Sequence, residues 1–204
     1  QKALDMQVDG IELDVHLSAD GELIVIHDET INRTTDGSGP VNTLSLRELK
    51  QFRINDYHEI PLLSEVFDLV NQNCFINIEL KSYESADKVV ELIEHYVSEK
   101  NWQYDHFIVS SFDWNALQQV RFLNDKIQIG VLTETDLDLA LAFAKFIQAK
   151  SIHPHFHLLD KENVPKTQQK GVQVFPWTIN ETEDIEKIKS FNVNGIITDF
   201  PNRI

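Results

Sequence analysis

Glu12 and Asp14 stand two residues apart in the apolar run GIELDV (10–15). Side chains alternate along a strand, so both carboxylates share one face. Burying two unpartnered anions is costly, and a divalent cation held by oxygen ligands removes that cost. Glu79 repeats the pattern near the end of the apolar run FINIEL (75–80), with Lys81 two residues on and on the same face. Three converging carboxylates would make an oxygen-ligand site for Mg²⁺ or Ca²⁺, and Lys81 beside them could hold a phosphate oxygen. Taken singly, each of these charges has a plainer use, turned to solvent or opening a loop. Their convergence carries the chemistry.

A second run, LIVIHD, ends in His27 and Asp28. An imidazole above a cation site is suited to general acid or base work. His153 and His155 share a face at the end of a later strand, and His155 is expected at the rim, in reach of substrate. Trp177 in PWT offers an apolar wall for an alcohol group, and Asp199 in TDFP is expected to hydrogen-bond a neighbouring strand end.

The elements that must position these residues are short apolar runs alternating with amphipathic stretches. Strands are expected over 10–15, 23–27, 75–80, 106–112, 127–133, 149–155, 172–179 and 195–200. The opening QKALDMQVDG reads as the last turns of a helix. In SADKVVELIEHYVSEK, Val89, Ile93 and Val97 recur four apart and form one helical stripe. Asp113 is a candidate N-cap, as are Ser64 and Asn180, the last with Glu183 three residues on. Ser45 and Glu48 form a capping-box pattern, and Gly171 suits a helix C-terminus. Repeated strand–helix–strand units imply a parallel sheet covered on both faces. An open doubly wound sheet and a (β/α)₈ barrel both fit, and the strand count favours the barrel.

The run 23–27 breaks the alternation. Only HLSADGE separates it from the first strand, too little for a parallel crossover, and Asp20-Gly21 signals a hairpin. The chain should therefore turn near Asp20 and return antiparallel, with Ile26–Asp28 opposite Glu12–Asp14. The hairpin carries His27 back toward the carboxylates.

The net charge of −15 over 204 residues argues against nucleic acid and anionic membrane surfaces. No run of about 18 apolar residues exists, so no integral membrane segment is expected. Cys74 is the only cysteine, which excludes an internal disulfide and a cysteine metal cage and favours a reducing, cytoplasmic setting. A signal peptide upstream of Gln1 is compatible with this reading, as is a homo-oligomer.

Together the segments GIELDVHLSADGELIVIHDETINRTTDGSG, IPLLSEVFDLV, INIELK, VSSF, HPH, WTIN and GIITDFP resemble the glycerophosphodiester phosphodiesterase family. They occur in family order and cover nearly the whole chain. The resemblance implies a single TIM (β/α)₈ barrel over 1–204, with a small insertion at about 28–60. It implies hydrolysis of glycerophosphodiesters, such as deacylated phospholipids, to glycerol 3-phosphate and an alcohol. Glu12, Asp14 and Glu79 match the family's metal-binding carboxylates, with Mg²⁺ or Ca²⁺ as the ion. His27 matches one of two catalytic histidines, and Lys81 a phosphate-contacting lysine. The family's His-Arg-Gly and Glu-Asn-Thr motifs do not occur in these residues. The resemblance therefore implies that the barrel's first strand is absent from this chain, and that turnover falls below that of a chain carrying both histidines. The alternatives are a non-catalytic phosphate- and metal-binding barrel, or a related lipid-headgroup phospholipase, against which the single cysteine counts.

Overall fold

A computed structural model describes residues 1–204. The elements run α1 (Lys2–Asp5), β1 (Gly10–Leu17), β2 (Leu23–Val25), α2 (Leu46–Leu49), α3 (Leu63–Val70), β3 (Phe75–Leu80) and α4 (Ser85–Glu99). They continue with β4 (Phe107–Ser111), α5 (Trp114–Leu123), β5 (Gln128–Thr133), α6 (Leu137–Phe146), β6 (Ser151–Pro154), α7 (Asn163–Gln169), β7 (Gln173–Val174) and α8 (Thr182–Lys189). One seven-stranded sheet has the order β2-β1-β3-β4-β5-β6-β7. Every pairing is parallel except β1 with β2. The helices lie between successive strands, as an α/β barrel requires.

Alternation decides which side chains meet the helices. Ile76, Ile78 and Leu80 of β3 are fully buried, as are Val109 of β4, Ile129 and Val131 of β5 and Ile152 of β6. They pack against Val89, Ile93, Ala116, Leu117, Val120, Ala140 and Ala144 in one large core cluster. The opposite faces of the same strands carry the polar residues: Asn77 and Glu79, Ser110, Ser151 and His153.

Two glycines admit rings into the sheet interior. A Cβ on Gly10 would lie 2.4 Å from the ring of Phe75, its register partner on β3. A Cβ on Gly130 would lie 2.5 Å from the ring of His153. Only a residue without a side chain permits either approach.

The hairpin forms in the expected register, with Val15 opposite Val25. It continues one step through the bond from Ile26 N to the Asp14 carbonyl (3.1 Å). Asp20 at its tip accepts from the backbone N–H of Leu46, tying it to the start of α2. Beyond it, Ile24, Ile26, Ile31, Val41, Leu49 and Ile60 form a second, separate core of six residues.

Several expectations need correction. Residues 195–200 form no regular strand. Ile197 donates to Pro176 O while Ile179 donates to Ile197 O. Those two partners are one residue further apart than a regular parallel ladder allows, so the pairing is interrupted there. The strand expected over 172–179 is regular only at Gln173–Val174, although backbone bonds to β6 continue through Trp177. Pro176 supplies no N–H to a ladder.

The helix expected after Asn180 is capped instead at Glu181 without a side-chain bond, because the Asn180 amide is engaged elsewhere. Ser64 is not a cap either. α3 starts at Leu63, and Glu65 accepts from the Leu62 N–H. Asp113 does cap α5, and Ser45 with Glu48 forms the capping box of α2.

Candidate metal and phosphate site

The parallel pairing of β1 with β3 sets Asp14 directly beside Glu79, and Glu12 beside Asn77. Oxygens from Glu12, Asp14 and Glu79 all lie within 4.8 Å of one another. Ligands at about 2.0–2.6 Å from a shared ion are separated by distances of this order, so the arrangement fits an oxygen-liganded divalent cation. Lys81 Nζ lies 2.9 Å from Asp14 Oδ1 and also bonds to Glu79 Oε1. Each of those carboxylates retains a second oxygen.

The electrostatics follow from this crowding. The Glu12 carboxyl is pushed up to about 8, first by the protein packed around it and then by Asp14 and Glu79. Glu12 nonetheless keeps exposed surface, so water and ions reach it. Burial also raises the Glu79 carboxyl and Asp14 adds to the rise, against the lowering effect of Lys81. Burial alone would depress the Lys81 ammonium, but its bonds to Glu79 and Asp14 outweigh that and raise it.

A cleft of about 430 Å³ opens beside this cluster, lined by His16, His27, Asp28, Glu29, Thr30 and Lys81. His27 sits at its rim with its side chain largely exposed. Its Nδ1 meets Asp28 Oδ1 at 2.8 Å. Arg33 grips the same carboxylate, Nε to Oδ2 at 2.6 Å and Nη2 to Oδ1 at 2.8 Å. Those contacts, with Arg33 first, hold the Asp28 carboxyl far below the usual range. His16 Nε2 lies 3.2 Å from the His27 carbonyl, which can only accept, so that nitrogen carries the proton.

His155 and Trp177 are not among the residues lining that cleft. They pack edge to face on each other, 5.1 Å between ring centroids, with Phe112 edge-on to Trp177 at 5.5 Å. The Trp177 indole N–H donates to the His153 carbonyl (2.7 Å). This aromatic group stands at the ends of β4, β6 and β7. His153 itself is an interior residue, bonded to Ser151 Oγ through Nε2. Asp199 bonds to the Asn180 amide (2.8 Å), the strand-end contact expected of it.

Alternation, strand pairing and the hairpin place Glu12, Asp14, His27, Glu79 and Lys81 in one region, and the structure adds His16, Asp28 and Arg33 to it. His16 carried a signal, since it continues the alternating face of Glu12 and Asp14. The Arg33 contact carried none, because it depends on the path of a loop.

The description "Glycerophosphoryl diester phosphodiesterase family" belongs to the family model that matches residues 1–203. A glycerophosphodiester phosphodiesterase of Caldanaerobacter subterraneus is 36% identical over an alignment covering 100% of this chain and 87% of its own. One from Bacillus altitudinis is 38% identical, with the same coverage. Among solved structures, an Oleispira antarctica phosphodiesterase in complex with the product sn-glycerol-3-phosphate superposes with a TM-score of 0.88. It is 27% identical, covering 98% of this chain and 85% of that one. A glycerophosphodiester phosphodiesterase from Thermotoga maritima gives a TM-score of 0.80 at 31% identity, covering 97% and 84%. The fold is of the TIM-barrel type. Matched along its length in both sequence and fold, the chain belongs to the glycerophosphoryl diester phosphodiesterase family.

Proposed function

We propose that this protein hydrolyses glycerophosphodiesters, the deacylated phospholipids of lipid metabolism, to glycerol 3-phosphate and an alcohol. The observation that carries the reading is the meeting of Glu12, Asp14 and Glu79 within 4.8 Å, beside a cleft lined by His27 and Lys81. The family membership and the product-bound relative support the substrate class.

In this reading Glu12, Asp14 and Glu79 hold one divalent cation, Mg²⁺ or Ca²⁺. When bound, such an ion draws charge off phosphate oxygens. The Lys81 ammonium, held by Asp14 and Glu79, faces the phosphate as a second positive charge. Asp28 remains anionic and can only accept, so His27 Nδ1 carries a proton and Nε2 is left to take one from, or return one to, the reacting oxygens. His155 and Trp177 lie outside the cleft, packed edge to face at the ends of β6 and β7, and are assigned to the far, alcohol side of the substrate. Residues 1–204 form one barrel unit, with 28–60 as an insertion on it. No helix is long and apolar enough to cross a membrane, and a buried lone cysteine suits a reducing, cytoplasmic setting.

The test is turnover of glycerophosphocholine in the presence of Mg²⁺ or Ca²⁺. His27→Ala should lower it about 10²–10⁴-fold, the contribution of a positioned acid or base. Turnover that survives this substitution defeats the assignment of His27. Cation binding without any turnover would favour a binding barrel.

A further inference from the structure

The contact of Asp28 with His27 continues outward to Arg33, a residue to which the hydrolytic chemistry assigns no role. Arg33 makes a two-pronged contact with Asp28, and Asp28 in turn meets His27 Nδ1. An acceptor-only carboxylate fixes the proton on Nδ1 of the neutral ring, and it fixes the ring's orientation as well.

Both ends of this chain of contacts are anchored in the second core. Ile26, the residue before His27, is buried there, and so is Ile31, two residues before Arg33. The turn between Ile31 and Arg33 is itself tied down. Thr35 donates to the Ile31 carbonyl through both its N–H (3.1 Å) and its hydroxyl (2.7 Å). The Asn32 side chain accepts from the Gly39 N–H (2.8 Å). Ile24 of β2, Val41, Leu49 of α2 and Ile60 complete this core, so both ends of the contact chain are fixed to one packed body.

We infer that the segment following His27 is a clamp: its core presents Arg33 to Asp28, and Asp28 locks the tautomer and aim of the His27 imidazole. Asp28 and Arg33 are positioning residues. The catalytic value of the clamp rests on the proposed phosphodiester chemistry, but its physical effect on the ring does not.

The imidazole ¹⁵N spectrum of the cation-free protein reads that effect directly, with the His27 resonance assigned by its loss in His27→Asn. The wild-type ring should show the Nδ1–H tautomer. Asp28→Asn and Arg33→Gln should both shift it toward the Nε2–H form. Arg33→Lys should not restore it, since an ammonium keeps the charge but lacks the two-pronged geometry. Leu49→Ala, remote in the second core, should shift it in the same direction.

In turnover assays Arg33→Gln should lower kcat about 10- to 100-fold, part of what a positioned acid or base contributes, with KM within about twofold. An unchanged tautomer in Arg33→Gln overturns the clamp. So does a rise in KM with kcat preserved, which would mean that Arg33 contacts substrate. A wild-type chain with the locked tautomer but no turnover would leave the clamp standing and remove the hydrolytic reading instead.

Discussion

Asp14 and Glu79 face each other across the β1–β3 pairing and share a single counter-ion, the Lys81 ammonium. Two carboxylates this close repel, and the lysine offsets that repulsion in the cation-free protein. The positive charge therefore belongs to the structural balance of the site as well as to its chemistry.

Replacing Lys81 by Met should destabilise the cation-free protein by about 1.5–3 kcal/mol, the range for hydrogen bonds to charged groups. Thermal melts should fall by roughly 3–12 °C for a chain of this size. Millimolar Ca²⁺ should recover most of the loss, because the cation takes over the neutralising role. An equal shift with and without Ca²⁺ would show that the lysine's contribution is packing alone.

Glu79→Gln keeps the size of the side chain and removes its charge. Calorimetric titration with Ca²⁺ or Mg²⁺ should show affinity reduced on the order of 100-fold, since one of three anionic ligands is gone. Asp28→Asn, outside the acidic cluster, should leave the same titration within about threefold. That contrast separates the ion-holding carboxylates from the one that serves His27.

Burial pushes the His153 imidazole down from 6.5 to about 3, so the folded protein keeps this ring neutral. The unfolded chain protonates it at the ordinary value. Stability from this residue is fully present above about pH 6.5 and is lost as pH falls toward 3, by up to about 1.4 kcal/mol per unit. Urea unfolding at pH 7, 6 and 5 should show a shallower pH slope for His153→Gln than for wild type. Identical slopes would remove His153 as the source.

Gly130→Ala forces a methyl into the space taken by the His153 ring, 2.5 Å away. Overpacking of this kind costs about 1–3 kcal/mol. Combining it with His153→Ser should cost less than the two changes added together, because the smaller side chain vacates the contested space. Strict additivity in denaturant melts would show that the ring and the glycine are energetically independent.

The acidic cluster was legible because two simple rules suffice for it. Alternation puts Glu12 with Asp14 and Glu79 with Lys81, and parallel pairing of neighbouring strands brings the pairs together. The hairpin register was legible from Asp20-Gly21 for the same reason. Arg33 was not, since its contact with Asp28 is made by a loop whose path depends on the Ile31 anchor and on the bonds of Thr35 and Asn32. At Asn180 the local capping signal loses to a distant partner, Asp199, that no spacing reveals. The irregular run at 195–200 has strand composition, and what undoes it is a one-residue offset against Pro176 and Ile179. Composition cannot report a mismatch between two segments.

At the opposite end of the β1–β3 ladder from Asp14 and Glu79, the Phe75 ring rests in the notch left by Gly10. A strand slipping by one residue would turn its whole row of side chains to the other face. The aromatic peg in its glycine notch resists that slip, so the alignment of charges at the mouth is keyed by two uncharged residues at the far end of the same strands.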